Sequence, residues 1–150
     1  MTKRNCFCFD LDGTICDVLH RRQFVATKPK NWNAWNAGMV SDTPHLPVQK
    51  VFQALRQDQD VDLIIVSGRS DDYKEQTVKW LSDNEIFYDE IFMRKYKDNR
   101  DDAIVKSEIA DEIEKTHNIL GVFDDRQRVV NMWIQRGIFV FDVAQGQGNF

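Results

Sequence analysis

Apolar side chains in this chain fall into short, nearly unbroken runs, separated by stretches in which they recur every three or four residues. The runs are Cys6-Phe7-Cys8-Phe9, Val61 to Val66, Ile91-Phe92-Met93, Ile119 to Phe123 and Ile138 to Val143. Each reads as a strand buried on both faces, the kind found where helices cover both sides of a parallel sheet. Between them, Val48, Val51, Phe52 and Leu55 recur at helical spacing from Pro47 to the polar Gln57-Asp58-Gln59-Asp60. Val78, Trp80 and Leu81 mark a helix that Asp71 or Asp72 can cap and that ends near Asn84. Ile104, Val105, Ile109 and Ile113 share one face of a helix capped by Asp101 or Asp102, and Val129, Val130 and Trp133 mark one that stops at Gly137. Strands alternating with helices at this rhythm predict right-handed βαβ units and a doubly wound parallel sheet of the α/β class.

One segment breaks the rhythm. Residues 15–45 are polar and aromatic, carry Trp32 and Trp35, and end in Thr43-Pro44-His45-Leu46-Pro47. They predict a short helix, a loop and a helical turn over Asn31 to Ala37, forming a short cap insert after the first strand. Trp32 and Trp35 could stack on a base; the reading adopted is that they cover the insert's own small core.

Composition narrows the class. At 150 residues, 42% of them hydrophobic, the chain reads as one globular domain with a core that needs no disulfide or structural metal. A net charge of −4 argues against broad electrostatic capture of nucleic acid and leaves room only for a local basic patch. Cys6, Cys8 and Cys16 lack a second ligand pair, so they read as buried free thiols of a reducing compartment. His20, His45 and His117 show no metal-ligand spacing. Met1 to Asn5 lead straight into the first strand and no run approaches membrane-spanning length, so a soluble, cytoplasmic protein without membrane partners is expected.

The chemistry lies where strands end. Asp10-Leu11-Asp12-Gly13-Thr14 follows the first strand, Ser67-Gly68-Arg69 the second and Asp124-Asp125 the fourth, while Lys106 sits near the start of a helix between them. In an open α/β sheet these ends converge on one edge, where ligands bind. Strand alternation would point Asp10 and Asp12 to the same side, and like charges so close need a cation or a proton between them; Mg²⁺ is the economical choice. A carboxylate nucleophile, a second carboxyl group for proton transfer, a divalent cation and donors for phosphoryl oxygens are what phosphoryl transfer through an aspartate requires. Each part has a blander use: Asp10 and Asp12 in a solvated turn, Lys106 on an exposed helix face, Asp124 or Asp125 as a helix cap, Arg21 and Arg69 as surface charge, and Gly146-x-Gly148 as a flexible end.

With Asp10-Leu11-Asp12-Gly13-Thr14, Ser67, Lys106 and Asp124-Asp125 in this order, the chain resembles the haloacid dehalogenase-like phosphohydrolases. More narrowly, Ser67-Gly68-Arg69, Arg100 to Lys106, Asp124-Asp125-Arg126 and Val129 to Trp133 resemble the 3′-phosphatase half of the phage-type polynucleotide kinase/phosphatases. The resemblance implies that Asp10 attacks phosphorus to form an aspartyl-phosphate and that Asp12 acts as general acid and then general base. It implies that the Asp10 carboxylate, the Asp12 backbone carbonyl and one or both of Asp124 and Asp125 hold Mg²⁺. Ser67 and Lys106 would bind phosphoryl oxygens, with Thr14 and Gly68 of the same motifs beside them. Arg69, Asp102 and Arg21 would be substrate or positioning residues, Arg22 competing with Arg21 for that place.

No Gly-x-x-x-x-Gly-Lys-Ser/Thr loop occurs, so a separate kinase or ligase is the expected partner. The insert leaves no room for a large lid, which suits a phosphate at a polymer end, with Arg21, Arg22, Lys28 and Lys30 as backbone contacts. The expectation is a Mg²⁺-dependent phosphomonoesterase acting on 3′-phosphorylated DNA or RNA ends. A small-molecule phosphatase such as a nucleotidase, and a catalytically idle binding subunit, are the alternatives.

Overall fold

The computed structural model describes residues 2–150. In chain order the elements are β1 (Arg4–Phe9), β2 (Cys16–Asp17), α1 (Trp32–Ala37), β3 (Thr43–Pro44), α2 (Leu46–Leu55), β4 (Val61–Ser70), α3 (Lys74–Asp83), β5 (Glu90–Arg94), α4 (Asp102–Glu114), β6 (His117–Asp124), α5 (Gln127–Gln135) and β7 (Val140–Asp142). Short 3₁₀ turns cover Leu19–Phe24, Gly38–Ser41 and Asp71–Tyr73. The five strands that the apolar runs predict form one parallel sheet in the order β5-β4-β1-β6-β7.

β1 lies in the middle and is buried on both faces, as its unbroken apolar run requires. Cys6 and Cys8 pack with Ile64, Val66, Val122, Ala110, Ile113, Val129 and Trp133, the last four from α4 and α5. On the opposite face Phe9 packs with Leu63, Ile65, Val48, Phe52, Trp80 and Leu81, the last four from α2 and α3. Helices thus cover both faces of the sheet, which is the doubly wound arrangement. Phe9 lies edge-on to Phe52 at 4.8 Å and stacks on Phe123 at 4.3 Å. Burying each such ring stabilises the fold by about 1.5–3 kcal/mol. The three cysteines are free and buried.

Several local expectations are corrected. β4 runs on through Ser70, with an irregularity between Ser67 and Ser70 in its pairing to β5. Neither Asp71 nor Asp72 caps α3; Asp71 accepts a hydrogen bond from the Tyr96 amide instead. Asp101 does cap α4, accepting from the Ala103 amide at 2.9 Å. Asp124 and Asp125 cap nothing, because α5 starts after Arg126 with no side-chain cap. The chain end is docked rather than flexible. The Val143 amide donates to the Asp124 carbonyl at 3.0 Å and the Gln127 amide to the Gly148 carbonyl at 2.9 Å. Gly148 is buried so tightly that a Cβ there would meet the Asp125 carbonyl oxygen at 1.7 Å.

Between β1 and α2, β2 and β3 pair antiparallel, Cys16 opposite Pro44, and Asn31 caps α1 by accepting from the Ala34 amide at 3.0 Å. Trp35 is buried there as expected, but Trp32 is not: it stands 49% exposed. His117 is buried at the other end of the sheet, with Nε2 2.7 Å from Asp62. Among the described residues no helix is long and apolar enough to cross a membrane.

Candidate active site

Beyond the last residue of β1 the chain turns sharply. The Thr14 and Cys16 amides both donate to the Leu11 carbonyl, while Leu11 itself is buried in the core as an anchor. Gly13 makes the turn possible: its φ is +83°, and a Cβ would lie 2.0 Å from Asp125 Oδ2. The turn leaves Asp10 buried at the sheet edge. Thr14 Oγ1 donates to Asp10 Oδ2 at 3.1 Å, and Lys106 Nζ donates to Asp10 Oδ1 at 2.8 Å and to Asp124 Oδ2 at 3.0 Å. Lys106 reaches them from the second turn of α4 and is itself buried.

Asp10, Asp124 and Asp125 form a group of three buried carboxylates with one oxygen of each within 4.8 Å of the others. Burial lifts the Asp10 carboxyl well above its ordinary range; Lys106 opposes the lift, and Asp124 and Asp125 add to it. Burial, and then the Asp124 charge, likewise raises Asp125 to about 6. Burial pulls the other way on Lys106, but Asp10 and Asp124 outweigh it and keep the ammonium charged. Lys106 inside the cluster and Arg22 at its rim still leave three buried carboxylates short of positive charge. An all-oxygen, strongly anionic pocket of this kind fits a hard divalent cation such as Mg²⁺.

Asp12 occupies a different environment. Where Asp10 faces Lys106 and Thr14, the Asp12 side chain faces two guanidinium groups. Asp12 Oδ1 accepts from Arg21 Nη2 at 2.6 Å and from Arg69 Nη2 at 2.6 Å. Burial would raise this carboxyl, but Arg69 and Arg21 outweigh it and hold it at about 2. Its side-chain oxygens are therefore engaged by guanidinium groups. Asp12, Cys16 and Asp42 also offer grouped ligand atoms, but Arg21 and Arg69 lie between the two carboxylates and already balance their charge.

Arg21 is fully buried. Its Nε and Nη2 make a fork onto Asp42, at 2.9 and 2.6 Å, Nη1 donates to the Trp35 carbonyl at 2.9 Å, and the guanidinium lies 4.3 Å over the Trp35 ring. Arg69, also buried, donates to Thr77 Oγ1 at 3.1 Å besides Asp12. Asp42 in turn receives His20 Nε2 at 2.7 Å. The two neighbouring arginines differ in geometry: Arg21 points inward, and Arg22 lies at the rim, 3.7 Å from Asp125.

The other expected residues lie nearby in different ways. Ser67 is buried and its Oγ accepts from the Arg69 amide at 3.1 Å. Gly68 leaves space that a Cβ would close, 2.8 Å from Asp102 Oδ1. Asp102 pairs with Arg94 and with Arg126, the latter at 2.5 Å. Arg94 Nε donates to the Gly68 carbonyl at 2.8 Å, so Asp102 braces the loop behind Ser67.

The family model for the polynucleotide kinase PNKP phosphatase domain matches residues 4–150. The chain belongs to that phosphatase family. Members of the wider fold are similar as well. A chain from the Pnkp1/Rnl/Hen1 RNA repair complex superposes with a TM-score of 0.79 at 30% identity, over 93% of this chain and 42% of that one. A haloacid dehalogenase-like family hydrolase from Streptococcus pneumoniae shares the fold, with a TM-score of 0.66 at 13% identity over 95% and 85% of the two chains. A protein of Autographa californica nuclear polyhedrosis virus, named as a bifunctional polynucleotide kinase/RNA ligase, is 28% identical over 129 residues, 83% of this chain. This phosphatase-family chain spans 17% of the viral protein and under half of the repair-complex chain.

Sequence reasoning missed Asp42, the buried carboxylate on which Arg21 is mounted. Its only signal was an isolated acid in Ser41-Asp42-Thr43-Pro44, and nothing local ties it to an arginine 21 positions away.

Proposed function

We propose that this phosphatase-family chain removes the terminal phosphate from 3′ ends of nucleic acid, through an aspartyl-phosphate on Asp10. The observation that carries the reading is the division of two carboxylates one residue apart: Asp10 faces Lys106 and the acidic cluster, while Asp12 is clamped by Arg21 and Arg69. Opposed environments of this kind separate the roles of two titratable groups.

In the first step an Asp10 oxygen bonds to phosphorus, and the bond from phosphorus to the 3′ oxygen breaks. Thr14 and Lys106 orient Asp10, and Lys106 offsets the repulsion between its carboxylate and the incoming phosphate. Asp12 is ionised before substrate arrives, so the proton for the leaving oxygen has to be brought in. A phosphate monoester, whose second proton dissociates near pH ~6, carries that proton as the monoanion and can pass it through Asp12. In the second step water attacks the aspartyl-phosphate, and Asp12 takes the water's proton. Asp10 and inorganic phosphate are released. Proton transfer of this kind contributes roughly 10²- to 10⁴-fold. Asp10, Asp124, Asp125 and the Asp12 carbonyl would hold Mg²⁺, which supplies charge neutralisation for the phosphoryl oxygens. Ser67 is the further donor to those oxygens, and Asp102 positions its loop.

Membership of the polynucleotide kinase phosphatase family and the RNA-repair and kinase/ligase names of its relatives support a nucleic-acid end as the substrate. They also support a kinase or ligase, on another chain or domain, as the partner that completes end healing. The test is phosphate release from a 3′-phosphorylated oligonucleotide and from a 3′-nucleoside monophosphate, with Mg²⁺ and with chelator, for the wild type and Asp10→Asn. Metal- and Asp10-dependent release from the oligonucleotide is expected. Release from the mononucleotide alone would leave the chemistry and remove the polymer substrate.

A further inference from the structure

β7 ends the sheet on one side, and nothing among the described residues pairs with its outer edge. It packs chiefly against β6 and α5. α5 covers one face, where Ile138 and Val140 join the core. On the other face α2 lies over the β1–β4 side, and Phe139 and Phe141 stand 66% and 41% exposed. Phe141 stacks on Phe123 at 4.3 Å, Phe123 stacks on Phe9 at 4.3 Å, and Phe139 lies edge-on to Phe141 at 5.1 Å. One row of rings thus runs from the centre of the sheet to its rim. Gly121 makes room for the row, since a Cβ there would meet Phe141 Cε2 at 3.0 Å and Phe7 Cε1 at 3.3 Å. Sheet edges are usually guarded by lysine, proline or an inward-pointing charge. Residues 137–141 read Gly-Ile-Phe-Val-Phe and hold none of these.

The edge matches a second copy of itself. The Phe139 carbonyl accepts from the Val122 amide, and the Val143 amide donates to the Asp124 carbonyl. Main-chain groups alternate sides along a strand, so the N–H and C=O of Val140 point away from β6. A donor and an acceptor on one residue are self-complementary about a two-fold axis: two copies of Val140 facing each other in antiparallel strands exchange both hydrogen bonds. That register sets Phe139 opposite Phe141 of the second copy on one face, a favourable cross-strand aromatic pair, and Phe141 opposite Phe139. No like charges meet, because Asp142 falls opposite Ile138 of the second copy and its carboxylate is held by the Ala144 and Gly146 amides, each at 3.0 Å. The helix layer agrees. Met132 and Gln135 of α5 line a groove with Ala103 and Ile104 of α4, while Ile134, on the flank of α5 opposite Met132, is 56% exposed. α5 rides over the β6–β7 pair, so a strand spacing of about 4.8 Å sets α5 about 10 Å from its copy, an ordinary packing distance with Ile134 between the helices.

We infer that β7 is a two-fold docking edge that takes a second copy of this chain, joining two five-stranded sheets into one. Two-fold pairing occupies the edge on both copies, so assembly closes at the dimer. A three-residue edge gives a small interface, of the kind below about 1,200 Å² that serves transient contacts, and association is expected at micromolar concentrations.

Sedimentation velocity of the full chain across the micromolar range should show a monomer–dimer equilibrium. Val140→Pro keeps the pairing to β6 and removes the outward donor from each copy, so it should weaken the dimer about 10- to 100-fold, the loss of two hydrogen bonds. Phe139→Lys supplies the guard that the edge lacks and should leave monomer throughout, with an unchanged far-ultraviolet circular dichroism spectrum. Register is read by disulfide cross-linking in oxidised glutathione. Phe139 of one copy and Phe141 of the other lie opposite at about 4.5 Å between Cα atoms, within disulfide reach, whereas two copies of the same residue lie too far apart. The native Cys6, Cys8 and Cys16 are buried and do not compete. A mixture of Phe139→Cys and Phe141→Cys should therefore form the covalent dimer, and either variant alone should not. A monomer at every concentration would overturn the docking edge. So would a dimer indifferent to both edge variants, or cross-linking of Phe139→Cys with itself as complete as in the mixture.

Discussion

Arg21→Ala deletes a fully buried guanidinium whose hydrogen bonds run to Asp42 twice, to Asp12 and to the Trp35 carbonyl. What remains around Asp42 is His20 at 2.7 Å and Arg69 at 3.5 Å. Breaking a buried ion pair by removing one partner costs about 3–5 kcal/mol, because the other charge stays desolvated. The surviving contacts to Asp42 place this case toward the lower end, about 3 kcal/mol. For a chain of this length that lowers the thermal midpoint by roughly 6–12 °C. The assay is urea and thermal unfolding of wild type, Arg21→Ala, Asp42→Ala and the double variant. The double variant should be more stable than the sum of the singles predicts, by about 0.5–3 kcal/mol, since it buries no orphaned charge. Arg21→Lys keeps the charge but loses the fork, so it should recover part of the stability and little of the turnover. A loss below about 1 kcal/mol in Arg21→Ala, or strict additivity with Asp42→Ala, would refute the bridging role.

Three further outcomes follow from the acidic cluster. Lys106→Met, which leaves Asp10 and Asp124 without their shared cation, should cut phosphate release by about 10²-fold or more with the fold retained by circular dichroism; near-normal turnover would remove Lys106 from the mechanism. Because the Asp125 carboxyl is lifted to about 6, protons compete with the cation below that pH, so the Mg²⁺ concentration for half-maximal activity should rise as pH falls from about 7 to 5; a flat dependence over titrations at several pH values would count against Asp125 as a ligand. Gly13→Ala places a Cβ 2.0 Å from Asp125 Oδ2 at a φ of +83°, adding about 1–2 kcal/mol of backbone strain. Its Mg²⁺ requirement should rise, and an unchanged titration would show that the turn does not shape the cluster.

Much of the architecture was legible because its signals are local. A strand buried on both faces must be apolar at successive positions, and Cys6 to Phe9 announces this within four residues. Helix faces behave the same way: Val48 with Phe52, and Val129 with Val130 and Trp133, are buried where their spacing predicts. Caps were less legible, since an aspartate before a helix can equally bond elsewhere, as Asp71 does with the Tyr96 amide. Trp32 was misread because exposure of a large ring carries no signature in the neighbouring residues.

By itself the sequence determined a parallel α/β sheet that carries Asp10, Asp12, Ser67, Asp124 and Asp125 at its strand ends, with Lys106 on a helix between them. The topology of such a sheet brings strand ends to one edge whatever the side chains are, so the grouping follows from chain order. Tertiary structure alone decided which charge answers which. Lys106 reaches Asp10 across 96 positions and Arg69 reaches Asp12 across 57, and Asp42, unremarkable in sequence, supports Arg21 across 21. It also decided that the chain end packs under Asp125 and that Arg22 and Phe150 meet at the rim. Ion pairs and cation–aromatic contacts depend on distances of a few ångströms between residues remote in the chain, and only the packed core sets those distances.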